Sequence, residues 1–271
     1  MKNKTYLFLF AILFVNVLLG QTSVSKEINN VAGKKIQMSF NRASVKVIGW
    51  NQDKLAIKGT VSINNGEYDE HFTIDIKEQS DQVSLRTFVK DIDELPKITV
   101  IEVNGEKHYF KDNNEGRKAL KAFKKSEGED VNHWSEGVHT EINLEIYVPQ
   151  ATVLELESLY GDVDLEKLNG AMDVENTYGH VNALLDGGVP RNSMKLHSTY
   201  SFVDVTVPAS AKMNLKLNSG YGEIYTDMNI EQDESKGERR NFGSKVNGRI
   251  NGGGTPLEIE ATYSNIYLRK L

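Results

Sequence analysis

The chain has 271 residues, a formal net charge of −6 and no cysteine, and 39% of its residues are apolar. This is enough apolar material for a buried core, and we expect one or two domains. A negative net charge gives no general attraction to nucleic acid or to an anionic membrane surface, so neither is an expected partner. Without disulfides, burial and backbone hydrogen bonds must hold the fold together.

The first twenty residues predict a secretory signal peptide. Lys2 and Lys4 precede the nearly apolar run Tyr6–Leu19. This run is shorter than the roughly 20 residues of a membrane-spanning helix, so we expect cleavage after Gly20 and no transmembrane segment in the mature chain. Because attachment of a bacterial lipoprotein requires a cysteine at the cleavage point, we also expect no lipid anchor of that kind. The protein is therefore expected in the periplasm, at the cell surface or in the medium.

Residues 21–90 alternate apolar and polar side chains in the manner of β-strands, as at Val45 and Val47. The spacing predicts longer edge strands or hairpins that begin the same sheet as the strands that follow. Residues 91–138 are rich in charge and read as an insertion. A short helix is predicted there from Glu115 to Lys125, with Asn114 as its N-cap.

The last part of the chain, residues 139–271, contains a repeat centred on tyrosine. The tyrosines recur at intervals of about 20 residues, with a final interval of about twice that length, as in a stacked repeat protein. They are Tyr160, Tyr178, Tyr200, Tyr221 and Tyr263. The positions six and four residues before each tyrosine, and three and five residues after it, are apolar except at Thr226. Each unit is therefore predicted to be a strand, a corner and a second strand with one buried face.

Glycine follows the tyrosine in three of the five units, at Gly161, Gly179 and Gly222, while Ser201 and Ser264 follow it in the other two. Glycine at this position predicts a tight bend or bulge with positive φ. Stacking the units at about 4.8 Å would bury a continuous core, which one unit cannot do alone. We therefore predict an all-β fold, a β-solenoid of stacked strand-corner-strand repeats with a short helical insertion, formed by residues 21–271 as a single domain.

A sixth unit centred on Phe242 is rejected because charged residues stand where the other units are apolar, for example at Lys236 and Lys245. The charged run 231–240 predicts an exposed loop. Val246 and Ile250 predict an irregular strand that leads into the last unit.

Several segments resemble one family. They are VKVIGWNQDKLAIKG from Val45, LEIYVP ending at Pro149, LELESLYGDVDLEKLNG and AMDVENTYGHVNAL. They are similar to the bacterial putative-adhesin domains of β-strand repeats, also called ToastRack-like. The resemblance implies an exported or envelope-associated β-solenoid, a domain of unknown function without catalytic residues to carry over.

Acidic side chains alternate along one predicted strand, at Asp162, Asp164 and Glu166. These three carboxylates could bind Ca²⁺, or two of them could be the carboxylate pair of a glycoside hydrolase. The neighbouring units do not continue this pattern, so we interpret it as a solvated acidic face. His133 and His139 flank Trp134, but their spacing matches no zinc signature and indicates a loop pair. No catalytic residue, cofactor or metal ligand is assigned.

The tyrosine column is the feature most open to a functional role. Exposed aromatic rings bind sugars, whereas corner aromatics can seal a core while their hydroxyls stay in water. The parity of the tyrosines matches the buried positions, which favours the sealing role. Polar residues two positions earlier predict a ladder along the same edge: Ser158, Asn176, Ser198 and Ser219.

These observations favour a non-enzymatic, adhesin-like interaction or scaffold module of the bacterial cell envelope, whose partner is an envelope protein or a glycan. The alternatives are a carbohydrate-active enzyme or a glycan-binding module on the same scaffold.

Overall fold

The computed structural model describes residues 21–126, 128, 130–186, 188–190, 192–232 and 242–271. The predicted signal peptide, residues 1–20, and most of the predicted charged loop, residues 233–240, lie outside these residues. Within the described residues, no helix is long and apolar enough to cross a membrane.

Six strands form the N-terminal part. They are β1 Thr22–Asn29, β2 Lys35–Arg42, β3 Ser44–Trp50, β4 Lys54–Ile63, β5 Phe72–Glu78 and β6 Gln82–Val89. Two 3-10 turns follow β4 and β6, at Asp69–His71 and Ile92–Glu94.

The inserted segment contains β7 Ile98–Val103, β8 Glu106–Phe110, α1 Asn113–Phe123 and β9 Val131–Gly137. The predicted helix is confirmed, although it begins and ends two residues earlier and Asp112 is its N-cap, accepting a hydrogen bond from the amide of Asn114. The three strands form a small antiparallel sheet against which α1 packs. These strands were missed because the buried residues of β7 are nearly consecutive rather than alternating, and β8 and β9 have no buried residue.

Thirteen further strands, β10–β22, follow the insertion. In chain order they are Thr140–Pro149, Val153–Tyr160, Val163–Glu166, Met172–Asn176, Val181–Leu184, Met194–Ser198, Val203–Val207, Met213–Ser219, Ile224–Thr226, Glu231–Gln232, Ser244–Ile250, Thr255–Ala261 and Ile266–Lys270.

Apart from the insertion, the strands form two open sheets that face each other across one core. Sheet 1 has the order β1-β4-β10-β3-β12-β14-β16-β22-β18, and sheet 2 has the order β19-β20-β17-β21-β15-β13-β11-β2-β6-β5. Consecutive strands such as β11 and β12 belong to different sheets, so each pair makes one layer with a corner between its two strands. The predicted all-β, solenoid-like fold of strand-corner-strand units is confirmed.

The stack contains six such layers in the described residues, one more than the repeat predicted. The additional layer is β2 and β3, whose corner is at Arg42. Ile36 and Met38 precede Arg42 by six and four residues, and Val45 and Val47 follow it by three and five. This is the spacing of the tyrosine units, but it was missed because arginine stands in the place of tyrosine.

The layers are not stacked in chain order. The last layer, β21 and β22, lies between the layer of β15 and β16 and the layer of β17 and β18. Strand β20 leads from one of these layers to the other and pairs antiparallel with β17, between β17 and the edge strand β19 of sheet 2. The predicted irregular strand at Val246 and Ile250 is therefore a regular one. A repeat pattern cannot give this order because every unit offers the same apolar positions to its neighbours.

Parallel, in-register pairing puts equivalent residues of successive layers into columns. One inward column of sheet 2 is at most 4% exposed and consists, in stack order, of Ile36, Leu154, Met172, Met194, Leu257 and Leu215. Each such side chain contributes about 1.5–3 kcal/mol by leaving water. These columns, and their counterparts in sheet 1, hold the two sheets together.

Close approach between layers, rather than positive φ, explains most of the corner glycines. A Cβ at Gly179 would lie 1.9 Å from the carbonyl oxygen of Gly161, and one at Gly222 would lie 2.4 Å from that of Ser264. Of the three predicted glycines only Gly161 has a positive φ, of 109°. The prediction of positive φ at Gly179 and Gly222 is therefore wrong, because the constraint there is the backbone of the neighbouring layer.

Candidate functional site

The five repeat tyrosines form one continuous stack on the outside of the corners. In stack order they are Tyr160, Tyr178, Tyr200, Tyr263 and Tyr221, which we call the tyrosine ladder. Successive ring centroids are 4.8, 4.9, 5.1 and 5.1 Å apart, and the ring planes deviate by 6–13° from parallel. The ring spacing is close to the spacing of paired strands, so the backbone register sets the ladder.

The side chains of the ladder are 42–62% exposed, so their rings lie on the outside of the corners although their parity matches that of the buried positions. Within each unit, the polar residue two positions before the tyrosine is the last residue of the first strand whose side chain points into the core. Asn176, Ser198 and Ser219 are buried there, while the chain turns and directs the next ring outward.

The buried polar residues explain how the corners are held together. The Ser198 hydroxyl donates a 2.9 Å hydrogen bond to the carbonyl of Gly179, and the Ser219 hydroxyl donates one of 2.9 Å to the carbonyl of Ser264. Asn176 donates in the same way to Gly161, at 2.9 Å. Each donor satisfies a corner carbonyl of the adjacent layer, which would otherwise be buried without a partner. Ser158 lies in the same column, but its hydroxyl has no hydrogen-bond partner among the described residues.

Both ends of the tyrosine ladder are covered. The guanidinium of Arg42 lies 5.4 Å from the ring centroid of Tyr160, in the place where the first layer lacks a tyrosine. At the other end, Phe242 packs 5.9 Å from Tyr221 at 31° and is itself 70% exposed. Since the faces of the inner rings cover one another, the ladder presents ring edges and hydroxyls to solvent rather than free ring faces. Stacking of sugar rings on the tyrosines therefore has little available surface.

The three acidic side chains predicted on the outer face of sheet 1, those of Asp162, Asp164 and Glu166, all contact nitrogen-bearing side chains. His180 lies between Asp162 and Asp164, with Nδ1 2.9 Å from an oxygen of Asp162 and Nε2 3.7 Å from one of Asp164. Asn182 donates a further hydrogen bond to Asp164, and Lys46 pairs with Glu166 at 2.7 Å. Over the described part of the chain, no group of three or more His, Asp or Glu side chains is arranged to hold a metal ion.

The imidazole of His180 is in an acidic setting that favours its protonated form. It stacks on Phe202 with 4.9 Å between ring centroids. The carboxylate of Asp164 raises the pKa of His180 above its usual value, and the charges of Asp162 and Asp204 act in the same direction against the effect of burial. The imidazole of His180 in turn lowers the pKa of Asp164. Burial raises the pKa of Asp204, although Arg269 pairs with it at 2.7 Å.

The histidines of the insertion are on different elements. His133 is exposed on β9, next to Trp134, which is also exposed. His139 follows β9 and contacts Glu141 at 2.7 Å and the ring of Tyr109 at 5.8 Å. His139 therefore helps to fix the insertion against sheet 1.

The outer face of sheet 1 is concave near the insertion, which contributes Lys107 to the lining. Two adjoining depressions of about 490 and 420 Å³ share Ser44 and Asn143, and together we call them the groove. The first is lined by Lys46, Lys58, Thr60, Glu145 and Asp164 among others, and the second by Arg42, Lys107, Glu141 and Tyr160. The groove thus begins where the tyrosine ladder ends, and it was not predicted because its residues come from distant parts of the sequence.

Two open sheets joined by stacked corners define the protein as a β-solenoid-like domain. Residues 136–250 match the family model described as Toastrack DUF4097, which confirms the resemblance seen in the sequence. The matched range excludes the first layer, β2 and β3, and the last, β21 and β22.

One solved structure supports the fold. A putative cell adhesion protein from Clostridium sporogenes has 12% sequence identity and a TM-score of 0.57, and the match covers 93% of this chain and 100% of that one. A putative adhesin from Parabacteroides merdae has 10% identity and a TM-score of 0.23, with 93% and 96% of the two chains covered. No curated protein sequence matches the chain.

Removal of one ring should show how much the tyrosine ladder stabilises the stack. Tyr200→Ala removes two stacked contacts, each worth about 0.5–1.5 kcal/mol, so we expect the free energy of unfolding to fall by about 1–3 kcal/mol. Tyr225→Ala is the matched control, because Tyr225 is 51% exposed against 53% for Tyr200 but stacks on Tyr267 alone. Urea unfolding should show about half the loss for Tyr225→Ala. Equal losses would contradict a stabilising role for the stack.

The raised pKa of His180 predicts a pH-dependent stability. A folded-state pKa above the unfolded value of 6.5 gives stability that is complete below pH 6.5 and is lost as the pH rises through the folded-state value. We therefore expect His180→Asn to reduce the free energy of unfolding at pH 6 more than at pH 9.

The measurement is urea unfolding of both proteins across this pH range, with His133→Asn as a control on an exposed histidine. If the difference in free energy of unfolding between wild type and His180→Asn stays constant with pH, the ion pairs of His180 contribute nothing to stability.

Proposed function

We propose that this protein is an exported, non-enzymatic interaction module of the bacterial cell envelope, adhesin-like in its role, and that the tyrosine ladder is its contact surface for a partner protein. Exposure of five aligned tyrosines is the observation that carries the proposal. Tyrosine is enriched at protein interfaces, since it combines apolar area with a hydroxyl and loses little conformational freedom on binding.

The arrangement of the rings favours a protein partner. Their edges and hydroxyls form a straight ribbon along the corners, which can contact a flat surface by apolar packing and hydrogen bonds. Because the stacked rings are already ordered, binding would cost little further side-chain entropy.

The relatives and the sequence support the compartment and the absence of catalysis. One structural neighbour is named a putative cell adhesion protein, and the predicted signal peptide points to export. On the outer face of sheet 1, Asp162, Asp164 and Glu166 are each engaged by nitrogen-bearing side chains, so no free pair of carboxylates is offered for glycoside hydrolysis there. The proposal further includes residues 1–20 as a cleaved signal peptide and residues 21–271 as a single mature domain.

Retention of envelope proteins by the immobilised mature chain tests the proposal. Residues 21–271 are immobilised and exposed to solubilised envelope proteins from the source bacterium, and the retained proteins are quantified. We expect Tyr178→Thr/Tyr200→Thr to lose retention, because the centre of the tyrosine ladder is removed. The matched control is Asp173→Thr/Lys195→Thr, which changes exposed residues of the same strands, β13 and β15, on the outer face of sheet 2.

The assay is run at a temperature at which circular dichroism shows all three proteins folded. The proposal is supported if only the ladder variant fails to retain envelope proteins. Retention by the wild type should also be lost when the envelope proteins are digested by protease. Retention that survives the ladder substitutions or the digestion would refute a protein contact through the tyrosines, and release of sugar from envelope glycans would favour an enzyme.

A further inference from the structure

The groove combines concave shape with two cations that are available to a ligand. Lys46 and Lys107 are paired with Glu166 and Glu141. In contrast, neither Arg42 nor Lys58 has a carboxylate within ion-pair distance among the described residues, although Glu145 is the cross-strand neighbour of Lys58 and lines the same depression. Arg42 lines one end of the groove and Lys58 the other.

Both unpaired cations are positioned over aromatic rings. Arg42 lies over Tyr160, and the ammonium of Lys58 lies 5.8 Å from the ring centroid of Tyr147. Contact with a ring restrains a long cationic side chain without neutralising its charge. A guanidinium held in this way can bind a carboxylate through two parallel hydrogen bonds.

The floor between the two cations is built from short polar side chains. Ser44, Thr60 and Asn143 come from β3, β4 and β10, which are adjacent in sheet 1. Ser44 accepts a hydrogen bond from the amide of Asp162, whereas the side chains of Thr60 and Asn143 form none within the described part of the protein. Hydroxyl and amide groups both donate and accept, so they suit a ligand with many hydroxyls.

We propose that the groove binds a segment of an acidic polysaccharide, with carboxylate groups of its uronic-acid residues at Arg42 and Lys58 and its hydroxyls on the floor. Two interstrand steps of about 4.8 Å separate β3 from β4, so the floor spans roughly 10 Å and accommodates a short oligosaccharide. An acidic peptide fits less well, because the floor is the face of a sheet and offers no free strand edge to which a peptide could add as a strand.

Binding here must overcome the charge of the whole protein. The chain carries a net charge of −6, which repels a polyanion in general. Affinity for an acidic glycan therefore has to come from a local site. This site is separate from the central rings of the tyrosine ladder, so the glycan and a partner protein could be bound together.

Calorimetric titration of residues 21–271 with an oligogalacturonate tests this proposal. We expect binding that weakens with added salt, and an affinity that falls about tenfold in Arg42→Gln and in Lys58→Gln, since each loses a charged contact. Lys195→Gln, on the outer face of sheet 2, is the matched control and should bind as wild type does. Asn143→Ala keeps all charges and should also weaken binding, because it removes hydrogen bonds to sugar hydroxyls.

Two further probes decide the class of ligand. A neutral oligosaccharide of similar length and an oligoglutamate should both bind at least about tenfold more weakly than oligogalacturonate, because each lacks one of the two features that the groove recognises. Absence of oligogalacturonate binding, equal affinity in Lys58→Gln and wild type, or equal binding of oligoglutamate or the neutral sugar would each overturn the proposal. Since Lys58 is exposed and distant from the corners, its substitution keeps the test valid even if Arg42→Gln disturbs the first layer.

Discussion

Parallel, in-register pairing between successive layers is the constraint on which the rest of the structure depends. Each layer repeats the backbone path of its neighbour at the interstrand distance, so a side chain at one position lies directly against its equivalent. Inward positions then become apolar columns such as the one that contains Leu154 and Met172, and outward corner positions become the stacked rings of Tyr178 and Tyr200. The same register places Gly179 so close to the carbonyl of Gly161 that a side chain does not fit.

Local features of the unit could be predicted from sequence because they repeat. The strand-corner-strand path, the inward columns and the all-β class all follow from the spacing around the tyrosines. The order of the layers could not be predicted, since Leu215 and Leu257 are equivalent in the pattern and either layer could follow that of Met194. Only the structure shows that the Leu257 layer comes next.

The candidate site also combines features that could be predicted from the sequence with features that could not. The five tyrosines were identified, but their direction was not, because parity within a strand does not extend through the turn after Asn176 or Ser198. Arg42 was missed although its layer has the repeat spacing, since arginine takes the place of the tyrosine that marks the other units. The groove depends on Ser44, Thr60 and Asn143, which are far apart in sequence and adjacent only through the pairing of β10 with β3 and β4.

The order of the layers is the central claim, because it makes the tyrosine ladder continuous, and disulfide trapping tests it most directly. The natural chain has no cysteine, so engineered pairs report without background. Lys195 pairs in register with Glu258, and a disulfide requires Cα atoms about 4.4–6.8 Å apart, so Lys195→Cys/Glu258→Cys should oxidise fully. Lys195 and Lys216 are two layers apart, roughly 10 Å, and should not be bridged. Peptide mapping by mass spectrometry that found a disulfide in Lys195→Cys/Lys216→Cys, and none in the first pair, would contradict the order described.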